Sequence, residues 1–543
     1  MASNEMDTAS PKTCQPKEEL SRDPLPSAEP ATEAEVTKKP LSFYFSFLAL
    51  NLMVFIISLD ATALNIAIPK ITNDLHGTTL EAFWTNLSFI LALVITQPIY
   101  TNVSDVLGRK IPLNIAFLLF FVGSIVFAVA NTMPVLLGGR ILQGLGGGGL
   151  DVLAEVILAD LTTLKERPLY LGLFALPMAG GGICGPVIGA ALSEFVHWRW
   201  IGWINLPISA VGFGLNFFFL RLRPIDQSFR SKLRRLDWMG MLLFAVGSTT
   251  FSLPLSWAGS MYPWSSWRTI VPLIFGAIII VSFGIYEARP VEPIFPYRLF
   301  QNITAVTTII GATIHGIILY SIMLYAPLFF QAVMLQAPFK SAISVLPASV
   351  SIIVFSIFSA IAVEVLRRYR WVVISSWVFS AVGIGIGVGT HFTVLTIPMQ
   401  ASLARVDDMG LAAGIIVCFR LFGALIGLAI CASVFNNIFE QQIQPLRPLP
   451  PSIAVLEDAR EAIGFIPALR LVALEPVRLE QITEVYRSSL KAVFLTLSGF
   501  GVVGFLTSLF TKELTLESEE LGRQQLERPS TQAVSPLASN RVK

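Results

Sequence analysis

Long apolar runs separated by short polar breaks fill the chain from residue 41 to residue 510. They fall at about 42–68, 83–103, 112–131, 134–159, 169–192, 201–220, 238–257, 269–286, 303–330, 341–365, 371–389, 411–435 and 489–510. Many reach the ~20 residues that a helix needs to cross a ~30 Å hydrocarbon core. Backbone in lipid must satisfy its own hydrogen bonds, so each run predicts an α-helix. The stretch 371–404, "WVVISSWVFSAVGIGIGVGTHFTVLTIPMQASLA", is the exception to a regular count. One helix uses ~20 of its residues, and the remainder, His391–Ala404, is only ~21 Å long as a helix. The pattern therefore predicts thirteen full crossings and one stub, with a turn at Gly387–Thr390.

The polar breaks give an orientation. Arg109 and Lys110 follow the second run and Lys165 and Arg167 the fourth. Arg221, Arg223, Arg230, Lys232, Arg234 and Arg235 follow the sixth, and Arg367, Arg368 and Arg370 the tenth. The intervening loops, such as Asn131–Met133, carry few or no basic residues. The positive-inside rule then puts the N-terminus and every even-numbered exit in the cytosol. The segment 436–488 is a mixed-charge amphipathic connection with more acids than bases, which favours an even topology and a cytosolic C-terminus.

Composition agrees with this class. Of 543 residues 54% are hydrophobic and 14% charged, against about 25% charged in an average soluble domain. The formal net charge of +2 decides nothing about partners, and no basic patch interleaved with aromatics points to nucleic acid. Cys14, Cys184, Cys418 and Cys431 are scattered without metal-ligand spacing and read as small core residues. Residues 1–40 are polar with no apolar signal-peptide core, so they read as a disordered cytosolic tail, and 511–543 as a polar C-terminal tail.

The stretch Arg140–Glu155, "RILQGLGGGGLDVLAE", contains Gly144-x-Gly146-x-x-Gly149, the spacing of a dinucleotide-binding turn. Such a turn needs a strand before it, a helix after it and water-accessible amides. Here the pattern lies within one membrane-length run, and no P-loop Lys-Ser/Thr follows, so no ATP site is expected. Small residues that let helices approach in lipid explain the glycines better. The same helix carries Arg140, Asp151 and Glu155. At 100° per residue Asp151 lies about 20° and Glu155 about 60° around from Arg140. Charges in lipid cost ~2.5–3.5 kcal/mol each, so this face is expected to line a polar cavity or meet a protein partner. An ion-pair ladder between helices is the alternative.

With these residues in hand, the sequence resembles the major facilitator superfamily, specifically the fourteen-span drug:proton antiporters common in fungi. "LDATALNIAIP" (Leu59–Pro69) resembles the first-span motif, with Asp60, Thr62, Asn65 and Pro69. "TNVSDVLGRK" (Thr101–Lys110) resembles the loop signature between spans two and three, with Asp105, Gly108, Arg109 and Lys110, and with Thr101 where a glycine usually stands. "LGGRILQGLGGGG" carries the fourth-span Arg140, Gln143 and Gly144. "GGICGPVIGA" (Gly181–Ala190) resembles the fifth-span signature associated with exporters. "WRWIGWINLP" (Trp198–Pro207), "LDWMG" (Leu236–Gly240) and, around Arg420, "FRLFGALIG" (Phe419–Gly427) resemble later family patterns.

The resemblance implies an all-α polytopic membrane protein with 13–14 helices. A six-helix bundle over 41–221 and a C-terminal bundle over 301–510 would be joined by a 222–300 linker with two extra membrane helices. The bundles would rock around a midplane cavity. It implies a transporter, not an enzyme, in the plasma membrane, monomeric, with no cofactor, metal or ATP. Its partners are protons, the bilayer and a small molecule, and its activity is export of amphipathic organic compounds such as a drug, toxin or secondary metabolite. A proton-coupled importer of a nutrient or chelate, and a non-transporting paralogue, are the alternatives. Asp60 and Asp151, with Glu155, are the candidate proton carriers, Arg140 the group that competes for them, and Arg420 a further candidate. Asp105 and Arg109 are expected to form a cytosolic gate lock, with Arg109 pairing Asp160. Gly181, Gly185 and Gly189 form a small-residue stripe with a bend at Pro186, suited to helix packing or to a hinge between bundles. His315, Tyr320, Tyr325 and Gln331 are candidate cavity contacts, although His315 and Tyr325 lie about 80° apart and Tyr325 and Gln331 about 120° apart on their helix.

Overall fold

The structure, a computed structural model, describes residues 39–77, 79–222, 234–258, 262–290, 292–382, 385–403, 405 and 408–516. The expected tails before residue 39 and after residue 516, together with Arg223, Arg230, Lys232 and Ala404, lie outside these residues, as do the side chains of Asn65 and Pro69. The apolar runs form helices as their length dictates. The first six are α1 (Leu41–Asp74), α2 (Thr79–Leu107), α3 (Lys110–Ala128), α4 (Met133–Leu161), α5 (Arg167–Ala191) and α6 (Trp200–Phe219). Two more follow, α7 (Trp238–Trp257) and α8 (Trp267–Tyr286), then α9 (Ile303–Ala332) and α10 (Pro338–Leu366). The chain ends with three short helices, α11 (Arg370–Ala381), α12 (Gly385–Val394) and α13 (Thr396–Ala401), then α14 (Met409–Ile443), α15 (Ala462–Leu469) and α16 (Pro476–Ser508).

Within the first six helices α1 packs on α5 and α6, and α4 on α2 and α3; later in the chain α9 packs on α14 and α16, and α10 on α12. The two sets meet where α5 faces α10 and where α14 faces α2 and α4, while α7 and α8 pair and α7 leans on α2 and α14. Among the described residues twelve helices are long and apolar enough to cross a membrane. Cys418 and Cys431 are buried as expected, whereas Cys184 is exposed on α5 and is not a core residue.

The expected crossing at 371–389 is not a continuous helix. Helix α11 ends at Ala381, ahead of the turn expected at Gly387–Thr390, and Gly387 and Gly389 lie inside α12. A Cβ on Gly387 would stand 2.3 Å from Ser376 O, so α12 folds back directly onto α11. At 1.5 Å per residue α11 is ~18 Å long and α12 with α13 ~25 Å, both short of a ~30 Å core. This hairpin returns to the end it started from. Arg367, just before it, donates to Lys165 O at 2.7 Å, and just after it a Cβ on Gly410 would lie 2.7 Å from Arg109 Nη2. The end of α16 meets the same end, where the backbone N–H of Tyr369 donates to Glu513 at 3.0 Å. Lys165, Arg109 and Arg367 therefore mark one basic end of the molecule.

The connection 444–475 is not a loose loop. Its 3₁₀ turns and α15 cover the opposite end of α9, α14 and α16, burying Ile453, Leu456, Ile466 and Leu469 beside Tyr486, whose hydroxyl donates to Ala462 O at 2.7 Å.

Candidate functional site

The glycines of α4 are helix contacts. A Cβ on Gly144 would lie 2.5 Å from Phe89 O on α2, and one on Gly146 2.4 Å from the Phe120 amide nitrogen on α3. Only glycine permits such approach, and it draws the charges of α4 into protein.

Those charges separate into two sites. Arg140 is buried and donates through Nη1 to Asp60 Oδ2 at 2.5 Å and to Gln143 Oε1 at 2.9 Å. Asp60 Oδ1 accepts from Asn205 at 2.6 Å and from Gln143 Nε2 at 3.3 Å, and Gln143 also donates to Ser124 Oγ at 3.0 Å. The Phe89 ring lies 4.2 Å under the guanidinium. Helices α1, α2, α3, α4 and α6 thus enclose one ion pair. Arg140 does not join Asp151 or Glu155. The three share an angular face, but eleven residues of helix separate Arg140 from Asp151 by ~16 Å.

Asp151 instead accepts from Gln97 Nε2 on α2 at 2.8 Å. Glu155 faces Arg420 on α14, Oε1 to Nη1 3.8 Å, a pair that crosses between the two sets of helices. Arg420 stands over the Phe392 ring at 4.7 Å and donates weakly to Phe392 O at 3.4 Å; its Nε and Glu155 Oε2 have no hydrogen-bond partner. Arg420 and Tyr320 lie within electrostatic range of both Asp151 and Glu155. The cluster holds two carboxyls against one guanidinium.

At the basic end Arg109 is buried. Its Nε donates to Asp160 Oδ2 at 2.8 Å, and its Nη1 lies 2.5 Å from Asp105 Oδ1 and 2.6 Å from Ser104 Oγ. Burial works against its charge, but the Asp105 and Asp160 carboxylates outweigh that and raise the guanidinium above its ordinary value. Beside it, a Cβ on Gly414 of α14 would lie 2.3 Å from Thr101 Oγ1. The glycine missing at position 101 is supplied by the facing helix. Two further arginines join the elements here. Buried Arg167 donates to Gln400 Oε1 at 2.9 Å and to Thr162 O at 2.5 Å, and Arg298 grips both oxygens of Asp408 at 2.8 Å. In the sequence Arg167 reads only as an orientation charge; its signal was the Pro168 that places it at a helix start.

Between α5 and α9, α10 and α12 lies a recess lined by Ala175, Met178, Ala179, Ile183, Leu319, Met323, Ser349, Ile352, Val388 and Phe392. Its wall is almost wholly apolar. None of the four polar candidates of α9 lines it. Tyr320 sits at the junction of the two halves, and His315 lies behind Val388, to whose carbonyl it donates at 3.0 Å. Tyr325 is buried against Phe435, and Gln331 donates to Ser341 Oγ at 3.0 Å. Gly181, Gly185 and Gly189 face α1, where their Cβ atoms would lie 2.6 Å from Phe55 O, 2.9 Å from Leu59 O and 1.9 Å from Ala63 O. The stripe, with Pro186 in the same helix, packs against α1 within the first six helices. Among the described residues no group of three or more His, Cys, Asp or Glu side chains is placed to hold a metal.

Comparison with known proteins agrees with this architecture. Residues 50–428 match the family model described as Major Facilitator Superfamily. The MFS-type transporter sphD of Aspergillus fumigatus is 43% identical over 90% of this chain and 89% of its own length. The efflux pump FUS6 of Gibberella fujikuroi is 32% identical over 97% of this chain and 98% of its own. Among solved structures, the human organic anion transporter MFSD10 (TETRAN) superposes with a TM-score of 0.52 at 13% identity, covering 87% of this chain and 100% of that one.

Proposed function

The chain belongs to the major facilitator superfamily and is a membrane transporter, and from that premise we propose that it exports amphipathic small organic molecules in exchange for protons. It works by alternating access in the plasma membrane, as a monomer, with both termini in the cytosol. The observation that carries this reading is the Asp151–Glu155–Arg420 cluster beside an apolar recess. Two carboxyls and one guanidinium balance in charge only when one carboxyl holds a proton, and a net charge inside a membrane protein is costly. A proton is therefore the natural partner of this site. Arg420 reaches Phe392, which lines the recess, so proton occupancy and cargo occupancy share a wall. That wall is apolar with little polar surface, which suits an amphipathic ligand. The name of the related efflux pump supports the outward direction.

In this cycle, protonation of Glu155 weakens its hold on Arg420 and lets α4 and α14 part. Loss of the proton to the cytosol restores the pair after cargo has been exchanged. Asp60 and Arg140, closed within the first six helices, fix that bundle's charge. The test uses protein in proteoliposomes with a fluorescent amphipathic dye. Asp151→Asn and Glu155→Gln should abolish transport driven by a pH gradient while dye-for-dye exchange continues. Wild-type gradient-driven rates in both variants would remove this cluster from the coupling mechanism.

A further inference from the structure

Between α8 and α9 the chain forms a short strap, residues 292–298, that touches both halves at the basic end. The second half holds it firmly. Arg298 grips both carboxylate oxygens of Asp408, at the start of α14, at 2.8 Å each. The Phe295 ring meets Phe419 of α14 with centroids 6.0 Å apart. Leu299, just past the strap, is buried in one cluster with Leu411 and Ile415 of α14 and Met399 of α13. The chain then runs directly into α9, where the Asn302 side chain accepts from the Thr304 amide at 2.9 Å. The first half holds the strap more lightly. Asn102 of α2 donates through Nδ2 to the backbone oxygens of Glu292 and Pro293, both at 3.2 Å. Ile294, 1% exposed, shares an apolar cluster with Val106 of α2, Phe244 of α7 and Cys418 of α14. Glu292 also pairs with Arg235 ahead of α7, both side chains partly exposed. The Glu287 carboxyl accepts from the amides of Ile294 and Phe295 at 3.3 and 3.1 Å, which fixes the strap's own shape.

We infer that this strap is carried by the second half and closes the basic end by docking on Asn102, a positioning residue that lets go when the halves part. The chemistry separates the firm side from the releasable one. The paired charge-assisted bonds of Arg298 are roughly twice as strong as neutral bonds and fix its orientation. The Asn102 bonds are neutral and at the long end of the normal range, and each is worth roughly a 2- to 12-fold preference. The Arg235–Glu292 pair is open to solvent, where such pairs contribute little. Asn102 is buried and its Oδ1 has no hydrogen-bond partner, so the strap carbonyls are what satisfy its amide in this state. It lies near the end of α2 at Leu107, where water can replace those carbonyls once the halves part. A neutral amide therefore makes a catch that costs little to open. An apolar side chain would not fix the strap's register, and a charged one would be costly to bury. The neighbouring Thr101 faces Gly414 of α14, so the strap docks beside the contact that brings the halves together. The extra pair α7 and α8 thereby gains a task, which is to deliver the strap to the seam between α2 and α14. The inference rests on the alternating-access reading, and on neither the cargo nor the proton.

The experiment uses the full-length transporter in nanodiscs, with the native cysteines replaced and Ile294→Cys as the single thiol. The readout is its rate of labelling by a charged, water-soluble maleimide, which is slow while the strap is docked. Asn102→Leu, similar in size but without the donor, should speed labelling roughly 5- to 150-fold for two bonds lost. Asn102→Asp, which sets a carboxylate against two carbonyl oxygens, should speed it further. Gly414→Ala parts α2 from α14 without touching the strap and should speed it as well, and Thr101→Gly added to it should slow it again. A parallel protein with Leu299→Cys as its single thiol checks the firm side and should stay protected in every variant. Unchanged labelling of Ile294→Cys in both Asn102 variants would overturn the inference. So would slow labelling in Gly414→Ala when spin labels show that end open, because the strap would then stay on α2 throughout. Equal acceleration at Leu299→Cys would also overturn it, since the segment would be melting and not swinging with the second half. Failure of the proton-coupled export reading would appear instead in the transport of the Asp151 and Glu155 variants and would leave these labelling rates unchanged.

Discussion

Adding a single methyl group at Gly414 should hold the basic end of the transporter open. A Cβ there would lie 2.3 Å from Thr101 Oγ1, 2.6 Å from Thr101 Cγ2 and 3.0 Å from Thr101 Cβ. All three are atoms of one side chain, which is held in place by its hydrogen bond to Gln97 O at 3.0 Å. Non-bonded atoms prefer ~3.5 Å or more, so Gly414→Ala lacks ~1 Å of room between α14 and α2. Overpacking of this size costs ~1–3 kcal/mol. Because α2 and α14 belong to opposite halves, the cost falls on the state in which that end is shut. A penalty of 1–3 kcal/mol shifts such an equilibrium by roughly 5- to 150-fold. Spin labels at Lys110→Cys and Arg368→Cys, in a background without the native cysteines, report the distance between the halves at this end in nanodiscs. Gly414→Ala should move the population to the longer distance, and Thr101→Gly added to it should restore the wild-type distribution. If Gly414→Ala leaves the distances unchanged, or Thr101→Gly fails to rescue it, the two residues are not the complementary pair described above.

Asp60→Asn leaves the Arg140 guanidinium buried without its counter-charge and should destabilise the protein by ~3–5 kcal/mol; thermal unfolding at the wild-type temperature would contradict this. Gly316→Ala would place a Cβ 1.8 Å from the backbone oxygen of Arg420, where no rotamer can yield. It should prevent α9 and α14 from docking and abolish the monodisperse peak on size exclusion, and a normal peak would count against the packing argument. Outside the membrane helices, burial pushes the Glu287 carboxyl up from 4.5 to about 7, against hydrogen bonds from the Phe295 and Ile294 amides and with repulsion from Asp237. A carboxyl that holds its proton longer in the folded state stabilises it fully below about pH 4.5 and loses that contribution as pH rises through about 7. Exchange protection of the Ile294 and Phe295 amides, corrected for intrinsic rates, should fall over that window and become flat in Glu287→Gln; protection that rises with pH would reverse the sign.

Helices and their order were legible because lipid length and hydropathy impose them, and the twelve long helices follow the apolar runs closely. The Arg109–Asp160 contact was legible too, since both residues lie at the ends of helices that meet in the family pattern. Angular position misled where axial distance mattered. Arg140 and Asp151 lie on one face of α4 but some three turns apart, and each finds its partner on another helix. Gln97, Asn205 and Ser124 could not be picked out, because a polar residue in an apolar run gives no sign of which carboxylate or amide it will meet. The bond from His315 to the Val388 carbonyl was equally hidden. It depends on the fold-back of α12 onto α11, and glycines at 383, 385, 387 and 389 are as compatible with a tilted span as with a hairpin.

That hairpin has a consequence for how the chain is threaded through the bilayer. A segment that leaves by the face it entered contributes an even number to the count of passages whatever its depth. Its length can therefore vary without inverting anything downstream. Trimming an ordinary crossing to half its residues would strand α14 and α16 upside down. Trimming this one changes only how far it reaches, so parity is protected at the one place where the chain is short. Insertion of residues after Val382 should be the least disruptive lengthening open to this fold, deepening the hairpin while Lys512 and Glu513 stay beside Tyr369.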